Sequence, residues 1–202
     1  MQALGDPAWR GRRQYKQTCK SEVDMHKEIS RVLVECVQGD IASQDDVTAV
    51  VNAANSQLRP GGGVAGALHQ KAGPGLEEEC RPFAPISPGE AVLTGGHNLP
   101  SRYVIHCLGP VYGVDKPEEE LLARCYKRAL DLAEDHHIES IAFPAISSGA
   151  FGFPLDKAAQ VALKTVADAA PGLRQVKKVR FVLFSREQKE VFEKALNSLG
   201  SK

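Results

Sequence analysis

Short apolar runs alternate with longer amphipathic stretches along most of this chain. The apolar runs predict six strands, at residues 32–37, 48–51, 91–94, 103–107, 140–146 and 178–184. The amphipathic stretches predict four helices, at residues 67–80, 117–137, 154–170 and 186–199. Strands that alternate with helices favour a parallel sheet covered on both faces, while the short turn between the third and fourth strands favours an antiparallel pair. The pattern therefore predicts one three-layer α/β/α domain with a mixed, mostly parallel sheet.

The N-terminal segment differs from the rest of the chain. The first 31 residues show little periodicity and carry seven basic side chains against four acidic ones. We expect residues 1–30 to form a basic extension, a tail or partly helical, and residues 31–202 to form the domain. The remaining chain carries 18 basic and 21 acidic residues. The net charge of zero is therefore the sum of a basic N-terminal segment and a slightly acidic domain.

Composition excludes several classes of protein. Hydrophobic residues make up 43% of the chain and charged residues 25%, which is typical of a globular domain rather than a disordered one. The domain lacks the basic excess of a nucleic-acid binder, and no apolar run has the length of a membrane helix. Residues 1–17 lack an apolar stretch, so we expect no secretory signal there. The five cysteines are scattered, and their spacing predicts neither a disulfide framework nor a zinc motif. We expect a monomer in the cytoplasm, or in the nucleus of a eukaryote, with mostly buried thiols.

Two loops after predicted strands are rich in glycine and small polar residues. They span residues 52–66 and 147–154, and the second leads directly into a predicted helix. Glycines allow the backbone to approach a ligand and to present successive N–H groups, and a helix N-terminus adds a positive dipole. Each loop alone fits an ordinary tight turn as well as a phosphate site. Two such loops on one sheet favour a diphosphate.

A nicotinamide-dependent oxidoreductase has to be considered, because Gly61, Gly63 and Gly66 match the dinucleotide-binding pattern G-x-G-x-x-G. The context opposes it, since residues 56–60 separate these glycines from the preceding strand. The strand expected about 20 residues further on is replaced by residues 81–88, whose three prolines exclude a central strand.

Four motifs stand in or beside the predicted loops: VQGDI at 37–41, VVNAAN at 50–55, GGGV at 61–64 and IAFPAISSG at 141–149. Together they closely resemble the macrodomain family. The resemblance runs in order from about residue 31 to 199. It implies a mixed sheet between helices and a cleft for ADP-ribose, free or attached to a protein. The basic extension lies outside it.

The resemblance also implies roles for individual residues. Asp40 would accept a hydrogen bond from the adenine amino group, beside the backbone N–H of Ile41, although an aspartate there also suits the N-cap of a short helix near Ala42. Phe184 would lie against the adenine ring, with a core aromatic as the alternative. Asn55 would bind the distal ribose, or would merely hold its turn.

The Gly-rich loops would wrap the diphosphate and the distal ribose. The residues that match are Gly62, Gly63, Val64, Ser147, Ser148, Gly149, Ala150, Phe151 and Gly152. For catalysis, the candidates are Asn55, Gly63 and Phe151. No cofactor or metal is expected, and His69 and His106 are interpreted as packing or hydrogen-bonded core residues.

One position departs from a hydrolase branch of the family. That branch has aspartate after the GGGV motif, whereas this chain has Ala65. The ester between ADP-ribose and a carboxylate is labile, so Asn55 and the ligand's own phosphate remain able to support its hydrolysis. We predict a weak mono-ADP-ribosyl hydrolase acting on acidic side chains, with a non-catalytic reader as the alternative. The expected partners are ADP-ribose and ADP-ribosylated proteins, and nucleic acid only where its ends carry ADP-ribose.

Overall fold

The computed structural model describes residues 25–200, which contain seven strands and five α-helices. The strands are β1 Met25–Ile29, β2 Val32–Gln38, β3 Ala49–Ala53, β4 Ala91–Gly95, β5 Tyr103–Cys107, β6 Ser140–Phe143 and β7 Lys178–Leu183. The helices are α1 Gly63–Ala72, α2 Pro74–Cys80, α3 Glu118–Asp135, α4 Leu155–Ala169 and α5 Arg186–Ser198. Short 3₁₀ turns follow at Ile41–Ser43, Arg81–Phe83 and Ala170–Gly172.

The strands form one sheet in the order β1-β2-β7-β6-β3-β5-β4. The central pairings are parallel, whereas β1–β2 at one edge and β4–β5 at the other are antiparallel. The central strands consist largely of β-branched and other apolar residues because helices cover them on both faces. The predicted mixed, mostly parallel sheet is confirmed.

Two hydrophobic clusters lie on opposite faces of the sheet and create the three layers. The larger cluster joins α3, α4 and α5 to the sheet. It is centred on aromatic rings, with Phe143 and Phe181 stacked at 5.9 Å between centroids and Phe192 at 5.2 Å from Phe181. The smaller cluster packs α1 and α2 on the other face through Leu68 and Leu76. No helix among the described residues is long and apolar enough to cross a bilayer.

The N-terminal edge of the sheet lies further upstream than the sequence pattern indicates. β1 pairs with β2 in register Met25↔Cys36 to Ile29↔Val32, through a turn at Ser30, whose φ is 61°. The boundary expected at residue 31 therefore falls inside a hairpin, and residues 25–29 are a strand rather than a tail. The side chains of β1 are alternately half-buried and exposed, so the hydrophobic pattern of residues 25–29 is weak. Residues 1–24 of the expected extension lie outside the described residues.

The helix predicted over residues 67–80 is two helices. α1 ends at Gly73, whose φ of 81° no ordinary helical residue adopts, and Pro74 then starts α2. α1 also begins earlier than predicted, at Gly63, so the glycines of the first loop form its N-terminus.

Candidate functional site

A cavity of about 580 Å³ lies at the carboxyl ends of the parallel strands. Residues one or two positions after β2, β3, β5, β6 and β7 line its walls, and the first turn of α1 closes one side. Ligands bind at this edge of open α/β sheets because the loops leave the strands there. A volume of this size suits a small organic ligand.

The first Gly-rich loop presents a helix N-terminus to the cavity. Gly62 is the N-cap of α1 and supplies no side-chain acceptor, while Gly63 has a φ of 57°, which favours glycine. Within the described residues, no acceptor takes the N–H groups of Gly63, Val64 or Ala65. These three donors and the positive end of the helix dipole favour an anion.

The second Gly-rich loop presents a further set of backbone donors. Ser147 has a φ of 63°, and the N–H groups of Ser147, Gly149, Ala150 and Phe151 meet no acceptor among the described residues. Consecutive free N–H groups in such a turn form an anion-binding concavity. The N-terminus of α4 does not line the cavity, so this loop acts through its own backbone rather than through a helix dipole.

The second loop is fixed from beneath. The Tyr126 hydroxyl accepts the Ile146 N–H at 3.3 Å, and Phe153 N–H donates to the Ser147 carbonyl at 3.0 Å. Gly109, which follows β5, allows the loop to approach, because a Cβ there would lie 2.1 Å from Ser147 Oγ. The loop therefore has its shape before any ligand arrives.

Asp40 lies at one end of the cavity and caps the 3₁₀ turn that follows it. Its Oδ1 accepts the Ala42 N–H at 3.0 Å, and its Oδ2 accepts the Ser43 hydroxyl at 2.6 Å. The Ser43 hydrogen bond is the main reason why the pKa of Asp40 lies below its ordinary value; Ala42 N–H and Lys71 lower it further, against the effect of burial. Capping uses one lone pair on each oxygen, so the ionised carboxylate can still accept a further donor.

Asn55 also holds its own turn while it lines the cavity. Its Nδ2 donates to the Arg59 carbonyl at 2.7 Å, and its Oδ1 accepts the Arg59 N–H at 3.1 Å. The turn-holding role considered from the sequence is thus present. It leaves one Nδ2 proton and one Oδ1 lone pair for a ligand hydroxyl, with the amide already oriented.

Apolar side chains form the remaining walls. Phe184 is 86% exposed at the rim, which rules out a core role. Gln188 braces this rim, since its Oε1 accepts the Phe184 N–H at 3.0 Å. Ile41 is buried on the same side as Asp40, and Phe151 is half-buried at the second loop. A planar ligand group bound near Asp40 could stack against the ring of Phe184.

Asp40 is the one ionisable side chain among the residues that line this cavity. No lysine or arginine lines it, so backbone N–H groups supply its positive field. At the end opposite Asp40, the walls hold amide, hydroxyl and backbone groups but no carboxylate, because Ala65 occupies the third position of α1.

The structure brings together twelve of the thirteen ligand-binding residues predicted from the sequence; Gly152 does not line the cavity. Further residues line the cavity without having been predicted as ligand-binding, among them Gly39, Gly109 and Gln188. Position next to a predicted strand end was the available signal for Gly39 and Gly109. For Gln188, on α5, the sequence carried no local signal.

Comparison with known proteins places this geometry in a family. The Macro domain family matches residues 51–162. A macro domain-containing protein of Chlorobaculum tepidum is 46% identical over 166 residues, which cover 82% of this chain and 96% of that protein. A macro domain-containing protein of Methanosarcina mazei is 41% identical over 91% of this chain and 98% of its own length.

Solved structures share the fold of this chain. The Oceanobacillus iheyensis macrodomain, solved with ADP, aligns with a TM-score of 0.83 at 38% identity, over 87% of this chain and 96% of that one. The Trypanosoma brucei macrodomain, solved with ADP-ribose, aligns with a TM-score of 0.74 at 34% identity, over 81% of this chain and 68% of that one. The sequence, the fold and these relatives together show that the chain belongs to the macrodomain family.

Proposed function

We propose that this chain binds ADP-ribose in the 580 Å³ cavity and removes mono-ADP-ribose from acidic side chains of proteins by hydrolysis. The observation that carries the proposal is the pairing, in one cavity, of an ionised acceptor at one end with two sets of unoccupied backbone N–H donors. An adenosine diphosphate ligand needs both. The relatives solved with ADP and with ADP-ribose support this choice of ligand.

The orientation of the ligand in the cavity follows from the positions of the hydrogen-bond donors and acceptors. The adenine amino group donates to Asp40, the Ile41 N–H faces a ring nitrogen, and Phe184 covers the ring. The diphosphate lies between the start of α1 and the second Gly-rich loop, whose N–H groups meet no acceptor among the described residues. The distal ribose then reaches Asn55 and Phe151.

Hydrolysis at this site proceeds without a protein carboxylate near the distal ribose, because Ala65 replaces the acid of the hydrolase branch. Asn55 orients the ribose, Gly63 N–H holds the adjacent phosphate, and Phe151 limits access of bulk water. A water molecule attacks the anomeric carbon of the ribose as the bond to the ester oxygen breaks. The freed side-chain carboxylate leaves as an anion, and the water proton passes to a phosphate oxygen and then to solvent.

The second candidate function is a reader that binds ADP-ribosylated proteins without cleaving them. The same absence of a carboxylate at the distal-ribose end of the cavity favours it. Binding is common to both candidates, and turnover alone separates them.

Calorimetry tests the binding proposal. ADP-ribose and NAD are titrated separately into the chain, and we expect tighter binding of ADP-ribose, whose distal ribose is free to reach Asn55. Tight NAD binding with no heat from ADP-ribose would refute both candidates and favour an oxidoreductase.

A release assay separates hydrolase from reader. A peptide ADP-ribosylated on glutamate is incubated with the chain, and free ADP-ribose is measured by mass spectrometry against a no-enzyme control. We expect release above the control that Asn55→Ala reduces and that Gln57→Ala, an exposed neighbour outside the cavity, leaves unchanged. Binding without release beyond the control would establish the reader.

A further inference from the structure

A second cavity, of about 500 Å³, lies next to the cavity proposed to bind ADP-ribose (the ADP-ribose cavity), and Gly61 lines both. A Cβ at Gly61 would lie 3.3 Å from Asn55 Nδ2, so this shared wall stands beside the residue assigned to the distal ribose. A Cβ at Gly66 would lie 2.4 Å from the Gly61 carbonyl oxygen. Glycine at position 66 therefore allows the first Gly-rich loop to rest on α1, and backbone alone separates the two cavities at this point.

His69 lines the second cavity with its polar atoms unused. It is 5% exposed, and within the described residues neither of its ring nitrogens has a hydrogen-bond partner. Buried polar atoms without partners are costly, so the core role expected from the sequence does not explain this residue. Burial lowers the pKa of His69, against a smaller effect of the Glu77 charge, and the ring is neutral at neutral pH. The proton can occupy either nitrogen, so the nitrogen nearer the cavity can accept a hydrogen bond.

His106, by contrast, is the hydrogen-bonded core histidine that the sequence analysis expected. Its Nδ1 lies 3.0 Å from Asn52 Nδ2, and its Nε2 lies 2.9 Å from Thr94 Oγ1. Cys80 Sγ lies 3.6 Å from Nε2 and 3.9 Å from Nδ1, and so stands over the face of the ring. Both nitrogens of His106 are engaged, so this residue does not supply the partner that His69 lacks.

The wall of the second cavity is acidic. Glu77, on α2, is its one ionisable side chain besides His69, and no lysine or arginine lines it. Among residues 25–200, no basic side chain forms an ion pair with Glu77. Pro60 and Pro74 add apolar surface, and Gln70 adds an amide. A cation on an apolar stem complements this combination of groups.

We propose that the second cavity binds an arginine side chain of the ADP-ribosylated protein, one to three residues from the modified acid. This proposal rests on the proposed function and names a substrate preference for it. A guanidinium carries several N–H donors in one plane, so it can donate to the Glu77 carboxylate and to the neutral His69 ring together. Its aliphatic stem covers the two prolines. The ammonium of lysine is a strongly hydrated point charge and fits the cavity less well.

The separation of the two cavities suits a neighbouring residue of the substrate. The modified side chain leaves the ADP-ribose cavity at the distal ribose, beside Asn55 and Gly61. Ala65 lines the first cavity and His69 the second, and four residues of α1 advance about 6 Å. An extended peptide advances about 3.3–3.6 Å per residue. A side chain one to three residues from the modified acid therefore reaches the second cavity.

Calorimetry with ADP-ribosylated peptides tests the proposal. In each peptide a glutamine carries ADP-ribose through its side-chain amide, which replaces the labile ester, and its neighbours are alanine and glycine. Arginine is placed in turn at each of the three positions before and after this glutamine. Each peptide is compared with one that carries citrulline, which has the same shape without the charge. At one or more positions, arginine should strengthen binding about 5- to 10-fold.

Variants locate the arginine site. Glu77→Gln should abolish this gain and His69→Leu should reduce it. Neither should change the affinity for free ADP-ribose, because neither residue lines the ADP-ribose cavity. The matched control is Glu78→Gln, the same change of charge at an exposed neighbour outside the second cavity, and it should keep the gain. Circular dichroism establishes that each variant is folded.

Free ADP-ribose, titrated in parallel, separates this proposal from the proposed function. If free ADP-ribose binds and no arginine peptide binds more tightly than its citrulline counterpart, the arginine site is wrong and the proposed function stands. A gain that survives Glu77→Gln or His69→Leu also overturns the arginine site. If free ADP-ribose does not bind, the proposed function has failed, and the arginine site fails with it.

Discussion

Replacing Asp40 tests the assignment of the adenine end of the cavity. Asp40→Ala removes a carboxylate that lines the cavity, is ionised at neutral pH, and retains one lone pair on each oxygen after capping the turn. A hydrogen bond to a charged acceptor contributes about 1.5–3 kcal/mol, so the affinity for ADP-ribose should fall about 10- to 150-fold. Isothermal titration calorimetry at fixed ionic strength measures this change directly.

The same substitution also removes an N-cap, and a second variant separates the two effects. Loss of the cap should lower the free energy of unfolding by about 0.5–2 kcal/mol, measured by urea denaturation. Asp40→Asn keeps an oxygen for the Ala42 N–H but turns an amide donor toward the adenine amino group. It should therefore lose affinity as Asp40→Ala does while keeping more of the stability.

Asp45→Ala is the matched control, because Asp45 is an exposed acid five residues further on that does not line the cavity. Asp45→Ala should change neither the affinity for ADP-ribose nor the free energy of unfolding. If Asp40→Ala is folded and its affinity for ADP-ribose lies within about threefold of that of the parent chain, Asp40 is a capping residue only. The proposed orientation of the ligand is then wrong.

Three further predictions concern catalysis, the core and acid stability. Ala65→Asp places a carboxylate at the third position of α1, where the helix dipole favours it, and should raise release of ADP-ribose from a glutamate-linked peptide about 10- to 100-fold; no increase in a variant that still binds ADP-ribose would argue against a missing general base. Phe181→Ala should cost about 3–5 kcal/mol in urea unfolding, because Phe181 is fully buried between Phe143 and Phe192. The pKa of Glu134 is pushed up by burial, but the N–H groups of residues 174–176 bring it below its ordinary 4.5. Its contribution to stability should therefore be complete above about pH 4.5 and lost as pH falls through the lower folded value, so thermal melts of Glu134→Gln should show a weaker acid dependence than those of the parent chain.

The sequence located the regular elements where hydrophobic periodicity is strong and missed them where it is weak. Helices α3 to α5 begin and end within two residues of the predicted bounds, because each has a well-defined apolar face. β1 escaped prediction because it is an edge strand in which three half-buried residues alternate with two exposed ones. The division between α1 and α2 depends on the positive φ of Gly73, which a helical pattern of side chains does not reveal.

By itself, the sequence identified, through its motifs, most of the residues that line the cavity at the carboxyl ends of the strands. Asp40 and Asn55 come three and four residues after the ends of predicted strands, and residues in such positions meet at one edge of the sheet. Only the tertiary structure decided which donors remain free, since backbone N–H groups are identical in every residue and their partners depend on how the loops fold. The tertiary structure also decided that the buried side chains of His69, Cys80 and His106 meet, because these residues are distant along the chain and come together only when α1, α2 and β5 pack.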